Sequence, residues 1–548
     1  MIGGQSTRRG IPSHVSILVA LASTLPASAQ TGTRIWRPEE RVVLRDFSDV
    51  LQVATTTAGV YALTRGGLIA YDLRFETWLP PITELDGLPE MQVGSGASAM
   101  PSAALGDPTD ESLWFSAPDA VVHYTPMMRQ FDRIPVFDGV GELMFDKLDP
   151  FRGLYVRTRA DWLFVPRGSG VTVRAFDVPP VERRTTSTTV EAVLQRYPAA
   201  DAMQELTMIG DGHRYRYTSA AVDAMGRNAF LGTNGAGLMR YEALAANLEP
   251  LSFGLLADGV GAVTIADGGV WVGSTRSRRP ATRYRPGFTW VSGDFQQFRW
   301  ERGPGVAGFR FDAVRDIAHW SGAMWAATDA GLVRFDGGRH QVLDRSSGLP
   351  ANVLHVLLTT PEVLWVGTER GLAAVRDGGG AIESIAATIG AGARAAVTAL
   401  ARDGDTLWIG GRWGVAQLAL GSNQPIASSQ LDTRLGREPV VALAAGGGNV
   451  VVATREGIWW RERDGQWNTQ RPLGGLGGVT TLAMDAGGAW IGGRLGVQFF
   501  SFASRGFTVV AGAGDLPGEV RDIAVSERYI WVGTEGGLVR FQCEAVLP

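Results

Sequence analysis

Residues 364–372 read Leu-Trp-Val-Gly-Thr-Glu-Arg-Gly-Leu, and this nine-residue pattern returns along the chain. It stands again as Leu407-Trp-Ile-Gly-Gly-Arg-Trp-Gly-Val415, Ala489-Trp-Ile-Gly-Gly-Arg-Leu-Gly-Val497 and Ile530-Trp-Val-Gly-Thr-Glu-Gly-Gly-Leu538. Met324 to Leu332 is a fifth copy, with alanines after its tryptophan. Weaker copies put Tyr61, Trp114, Tyr155, Phe230, Trp271 and Val451 at the anchor position, which makes eleven units. From Trp325 through Trp365, Trp408, Val451, Trp490 and Trp531 the anchors step by 40, 43, 43, 39 and 41 residues, too regular for coincidence. The earlier steps of 53, 41, 75, 41 and 54 residues place insertions in the N-terminal half.

Each unit has the same internal order. An apolar segment such as Val520 to Val525 leads through a short turn to the anchor stretch, Trp531 to Thr534. A glycine turn and a third stretch follow, Leu538 to Phe541, and complete units add a fourth, as in His340 to Leu343. Segments this short, punctuated by glycine, make antiparallel strands rather than helices. Four strands repeated at such a period are the blade of a β-propeller, so the expected fold class is all-β. Because a ring closes with about four to eight blades, eleven units of about 41 residues predict two propellers. The expected grouping is five blades before about residue 295 and six after, with domains 30–295, carrying the insertions, and 296–548. The last unit ends soon after its third strand; Thr33 to Leu44 is the candidate for its fourth, which would remove an exposed edge. Thr188 to Leu206, inside the 75-residue step, is the one stretch read as helix.

Composition fits this reading and excludes much chemistry. Glycine supplies 72 of 548 residues, about twice the usual share, while 17 tryptophans and 45% hydrophobic content argue against disorder. Cys543 is the only cysteine, which excludes an intramolecular disulfide and a thiolate metal centre. Lys147 is the only lysine, which argues against Schiff-base and P-loop chemistry. His14, His123, His213, His319, His340 and His355 show no metal-ligand spacing, and no cofactor or metal is expected. Gly303, Gly305 and Gly308 match G-x-G-x-x-G, but strand-like sequence follows where a phosphate site needs a helix.

The first 29 residues read as an export signal. Arg8 and Arg9 precede the apolar run Val15 to Leu25, and Ala27-Ser28-Ala29 is an A-x-A cleavage site. Eleven apolar-rich residues are too few to span a bilayer. The expectation is a periplasmic or secreted chain, cleaved after Ala29, with no transmembrane segment. Its net charge, −4 for the whole chain and −6 without the two arginines of the leader, argues against nucleic acid as a partner.

The L-W-[VI]-G-T-x-x-G-L core resembles the two-component regulator propeller repeat of the extracytoplasmic sensor regions of hybrid histidine kinases, strongly from Trp325 onward and weakly before it. The resemblance implies a propeller fold and an extracytoplasmic binding role. In those receptors a β-sandwich, a membrane helix and a kinase follow the propellers, and this sequence shows no counterpart of them.

Three groups of residues are candidates for a site. Turns between second and third strands carry Arg370, Arg412, Arg455 and Arg494 with Trp413, a set suited to an anionic or saccharide ligand because guanidinium forks carboxylates and aromatics stack on rings. Alignment of the inner strands places Asp316, His355 and Asp522 in one column; closure of a six-blade ring would make them neighbours near the channel, for acid–base work, for a cation, or as structural acceptors of backbone bonds. Arg276, Arg278, Arg279, Arg283 and Arg285 form a basic loop, suited to lipid phosphate, an acidic glycan or an acidic partner. The insertion from Val181 to Arg214 is a further place for specific contacts.

Three functions stay open at this level: a non-catalytic binding or sensor-like protein presenting a loop face to a ligand or an envelope protein, a carbohydrate-active lyase or hydrolase with its site at the ring mouth, and a structural part of an envelope or secretion assembly. Polar residues converging at a channel mouth favour a small-ligand site, and an exposed apolar patch favours a protein partner.

Overall fold

The structure, a computed structural model, describes residues 36–37, 40–89, 103–203, 215–277, 285–302, 311, 313–336, 339–385, 395–422, 424–426, 435–462 and 465–542. Eleven antiparallel sheets form, one for each anchor, ten of four strands and one of five. We number them as blades 1 to 11, at residues 50–78, 104–135, 142–186, 217–251, 260–302, 314–343, 354–384, 399–425, 440–470, 479–511 and 520–542.

The repeated pattern builds the blade through two local devices. In blade 7 the Thr368 hydroxyl donates to the Gly371 carbonyl at 2.8 Å and accepts the Arg370 N–H at 3.1 Å, which closes the turn between second and third strands. Gly371 sits at φ +114°, a conformation that side chains oppose. The glycine after the tryptophan-aliphatic pair answers a different need: a Cβ on Gly533 would lie 2.6 Å from Val260 and 2.8 Å from Val263 of the adjoining blade. Much of the glycine excess therefore follows from tight turns and close blade-to-blade contact.

Packing between blades forms the core. Trp325, Trp365, Trp408, Trp490 and Trp531 are the largest fully buried side chains. Apolar clusters span neighbouring blades; one joins Trp325 and Leu332 of blade 6 to Leu354, Val366 and Val375 of blade 7.

Contacts between inner strands fix the grouping. Val260–Ala266 of blade 5 packs beside both Val314–Trp320 of blade 6 and Val520–Val525 of blade 11, and blades 6 to 11 follow one another, so blades 5 to 11 form a closed cycle of seven. In the remaining four, blade 1 lies between blades 4 and 2, and blade 3 follows blade 2. This corrects the expected division into five and six: residue 295 falls inside blade 5, between Gly287–Ser292 and Phe298–Arg302, and blade 5 belongs with the C-terminal set. Each repeat encodes only its own hairpins, whereas cycle membership depends on which inner strands meet across more than 200 residues.

The cycle is closed from the N-terminal side. Arg41–Leu44 pairs antiparallel with Gly537–Gln542 and supplies the fourth strand of blade 11, as expected for the described part of Thr33 to Leu44. After this strand the chain builds blades 1 to 4 and then returns to complete the seven. The two crossings run side by side, with the Leu255 N–H donating to the Arg45 carbonyl at 2.7 Å and the Asp46 N–H to the Asp258 carboxylate at 2.9 Å. Phe47 and Trp78 pack on Phe253 there, at 5.5 and 4.5 Å between ring centroids.

The expected helix is present in shorter form. Val190–Arg196 is helical, with Thr189 as its N-cap, and a 3-10 segment, Pro198–Met203, follows. The proposed leader, residues 1–29, and the glycine motif at 303–308 lie outside the described residues. No helix among the described residues is long and apolar enough to cross a membrane.

Candidate functional site

Blades 1 to 4 bring their inner ends around a cavity of about 440 Å³. Blade 1 contributes Thr55–Thr57, the loop after the first strand of blade 2 contributes residues 107–111, and blade 4 contributes Ala220–Val222. The remaining wall belongs to the inserted strand Arg184–Thr186, which adds a fifth, innermost strand to blade 3 by pairing with Met144–Asp146. It continues into Ser187 and Thr188. The cavity wall is thus made of small apolar residues, hydroxyls and three carboxylates.

The carboxylates are held in different ways. Asp107 is fully enclosed: Arg167 of blade 3 grips it at 2.8 and 2.9 Å, Trp114 Nε1 donates to it at 3.2 Å, and the Thr109 hydroxyl donates at 2.6 Å. Burial alone would raise the Asp110 carboxyl, but bonds from Ser112 and the Arg167 charge outweigh it and hold the group below its ordinary value. Glu111 behaves alike, because the hydroxyls of Thr56 and Thr57 and the Ala58 N–H outweigh its partial burial. Both therefore stay ionised at neutral pH. The hydroxyls of Thr185, Thr186, Ser187 and Thr188, which also line the cavity, make no hydrogen bond to any described residue.

A second hollow, about 580 Å³, opens between blades 2 and 3. Trp114, Phe131, Ile134 and Phe145 line it, and His123 stacks on Trp114 at 4.2 Å. Burial depresses the His123 pKa against the pull of Asp110, Asp107 and Asp132, so the ring is neutral near pH 7. Exposed Met128 lines it, and Met127 (95% exposed), Phe137 (82%), Val171 and Val173 are exposed apolar side chains within three residues of its lining along the chain.

His355 does not stand in the inner-strand column with Asp316. Blades 6 and 7 carry the same bulge, between Val314 and Asp316 and between Leu354 and Val356, so the residue in register with Asp316 is Val356. His355 is the extra residue, equivalent to Arg315, and leaves the column. Asp522 and Asp316 are not on adjoining blades either, because blade 5 lies between them. Each acts as an acceptor for the next blade: Asp522 takes the Val263 N–H at 2.8 Å, and Asp316 takes the Leu357 N–H at 2.7 Å. Burial, and then the Asp522 charge, push Asp316 up to about 8 despite those N–H bonds. Burial pushes Asp522 to about 6 against the Val263 and Ile523 N–H groups.

Arg370, Arg412, Arg455 and Arg494 are exposed, one on each of blades 7 to 10. The turns do lie beside the loops that lead into the inner strands, as the Glu369 N–H bond to Val353 and the Glu535 bond to Glu519 show. Trp413 departs from the expected exposed ring: it is half-buried, packs with the apolar cluster of blades 7 and 8, and donates its indole N–H to Ala396 at 3.1 Å. Arg494 bends back to the Gly477 carbonyl at 2.6 Å. Of the basic loop, Arg278, Arg279 and Arg283 lie outside the described residues, and Arg276 already has an interaction partner. Arg285 is tied to Asp46 at 3.4 Å, to the Ser48 hydroxyl at 2.8 Å and to the Gly235 carbonyl at 2.6 Å, so it pins the chain crossing rather than facing solvent.

Sequence reasoning passed over the cavity residues. The signal it offered was the run Thr185-Thr-Ser-Thr-Thr189 inside an insertion already marked for specific contacts, together with Thr55-Thr-Thr57. Neither run carries a motif, and only folding brings them to one cavity.

No protein-family model and no curated protein matches the chain. Several solved structures align with it. The extracellular domain of the hybrid two-component system BT4673 from B. thetaiotaomicron aligns at 12% identity and TM-score 0.42, over 90% of this chain and 70% of that one. PorZ, a surface component of the type-IX secretion system of Porphyromonas gingivalis, aligns at 13% identity and TM-score 0.44, over 90% and 69%. Virginiamycin B lyase from Staphylococcus aureus aligns at 12% identity and TM-score 0.42, over 52% of this chain and 94% of its own.

Proposed function

We propose that this chain is an extracytoplasmic, non-catalytic binding protein that holds a small ligand in the cavity of blades 1 to 4, exported by residues 1–29 and cleaved after Ala29. The observation that carries this reading is the convergence of four blades on one cavity lined by hydroxyls that bond to no described residue and by the ionised carboxylates of Asp110 and Glu111. Binding fits better than hydrolysis. A glycosidase-type acid must keep its proton near neutral pH, whereas the surroundings of Asp110 and Glu111 favour their ionised forms. The test is thermal denaturation of the full mature chain against a small-molecule library, beside a Thr186→Trp variant that fills the cavity. Ligands that raise Tm in the parent and not in the variant are expected. Shifts that persist in the filled variant would place the site elsewhere.

A second reading, docking of an envelope protein, draws on the hollow between blades 2 and 3, which exposed Met128 lines, and on exposed Met127 and Phe137 close to it along the chain. Phe137→Asp would abolish such an interaction and leave the small-ligand shifts unchanged.

A further inference from the structure

We infer that the ligand of the four-blade cavity is a small organic cation with hydrogen-bonding ammonium groups, rather than an anion or a stacked sugar ring. This rests on reading that cavity as the binding site. Charge makes the first argument. Among the twenty described residues that line the cavity there are three carboxylates, of Asp107, Asp110 and Glu111, and no lysine, arginine or histidine. Arg167 reaches Asp107 and Asp110 from outside the lining and offsets one charge. The wall as a whole is negative, and an anionic ligand would meet repulsion with no cation to fork it.

Lining chemistry makes the second. Among the described residues no aromatic side chain borders the cavity, so they offer neither face stacking of a sugar ring nor cation–π capture of a quaternary ammonium. What remains is hydrogen bonding. A primary or secondary ammonium brings several N–H donors and no acceptor. Glu111 and Asp110 accept from it, and so do the hydroxyls of Thr185, Thr186, Ser187 and Thr188, which bond to no described residue. The hydroxyl wall is independent of the acidic one, since it comes from the inserted strand of blade 3 and the carboxylates come from blade 2. With about 440 Å³ and Ala54, Ala104, Ala220 and Ala221 in its lining, the space suits a short aliphatic chain carrying ammonium groups.

Isothermal titration of the full mature chain with putrescine, glucose and glucuronate tests the inference. Putrescine should bind, weaken as salt rises, lose about tenfold or more in affinity in Glu111→Gln, and fail to bind in Thr186→Trp. Binding of glucose or glucuronate that Thr186→Trp abolishes, with no putrescine binding, keeps the cavity as the site and overturns its cationic assignment. Failure of all three at millimolar concentration overturns both.

Discussion

The Asp522 carboxylate accepts the backbone N–H of Val263, 259 residues earlier in the chain, at 2.8 Å. That bond joins the last blade to the blade on which the chain re-enters the cycle of seven, so a polar side chain of the inner strand helps close the ring. Its counterpart, Asp316, joins blade 6 to blade 7 through Leu357. Buried N–H groups must find acceptors, and these two aspartates provide them.

Asp522→Ala should therefore cost roughly 1–3 kcal/mol, because it strands the Val263 N–H. Asp522→Asn keeps an oxygen acceptor and should cost much less. Guanidinium denaturation of both variants checks this; equal stabilities would mean that the bond contributes nothing.

Stability should fall as pH rises. In the unfolded chain these carboxyls titrate near 4, whereas the folded protein holds the Asp522 proton to about 6 and the Asp316 proton to about 8. Unfolding releases protons between those values, so rising pH favours the unfolded chain. The stability present near pH 4 is lost progressively until about pH 8. Asp316→Asn, uncharged and still an acceptor, should match the parent in Tm near the acid end and exceed it by several degrees near pH 8. A parallel pH dependence for parent and variant would contradict the assignment.

Leu44, only 1% exposed in the strand that completes blade 11, should cost about 2–5 kcal/mol when changed to alanine. The effect should be local first. Hydrogen exchange is expected to quicken in Gly537–Gln542, its antiparallel partner, before blades 6 to 9 respond.

Trp365→Ala should cost about 3–5 kcal/mol, since its ring is 1% exposed between blades. Arg412→Ala, on an exposed turn of the next blade, should stay within about 0.5 kcal/mol. Chemical denaturation that shows the two alike would undo the division between anchor and turn.

The nine-residue pattern determined the blade by itself. Its tryptophans, its glycines and the threonine that closes the turn act within about forty residues, so their spacing was readable, and so was the strand Arg41–Leu44 that a final three-stranded blade lacks. Tertiary structure decided the rest. Blade 5 joined the C-terminal set because Val263 meets Asp522; His355 stands outside the aspartate column by strand register, which the 40-residue step from Trp325 to Trp365 already implies for Val356. The cavity that Thr185–Thr188 and residues 107–111 line depends on which blades come together. Local hairpins are set by short-range geometry, whereas ring membership and the walls of a cavity are set by contacts between distant strands, and those follow from how the whole set of blades packs.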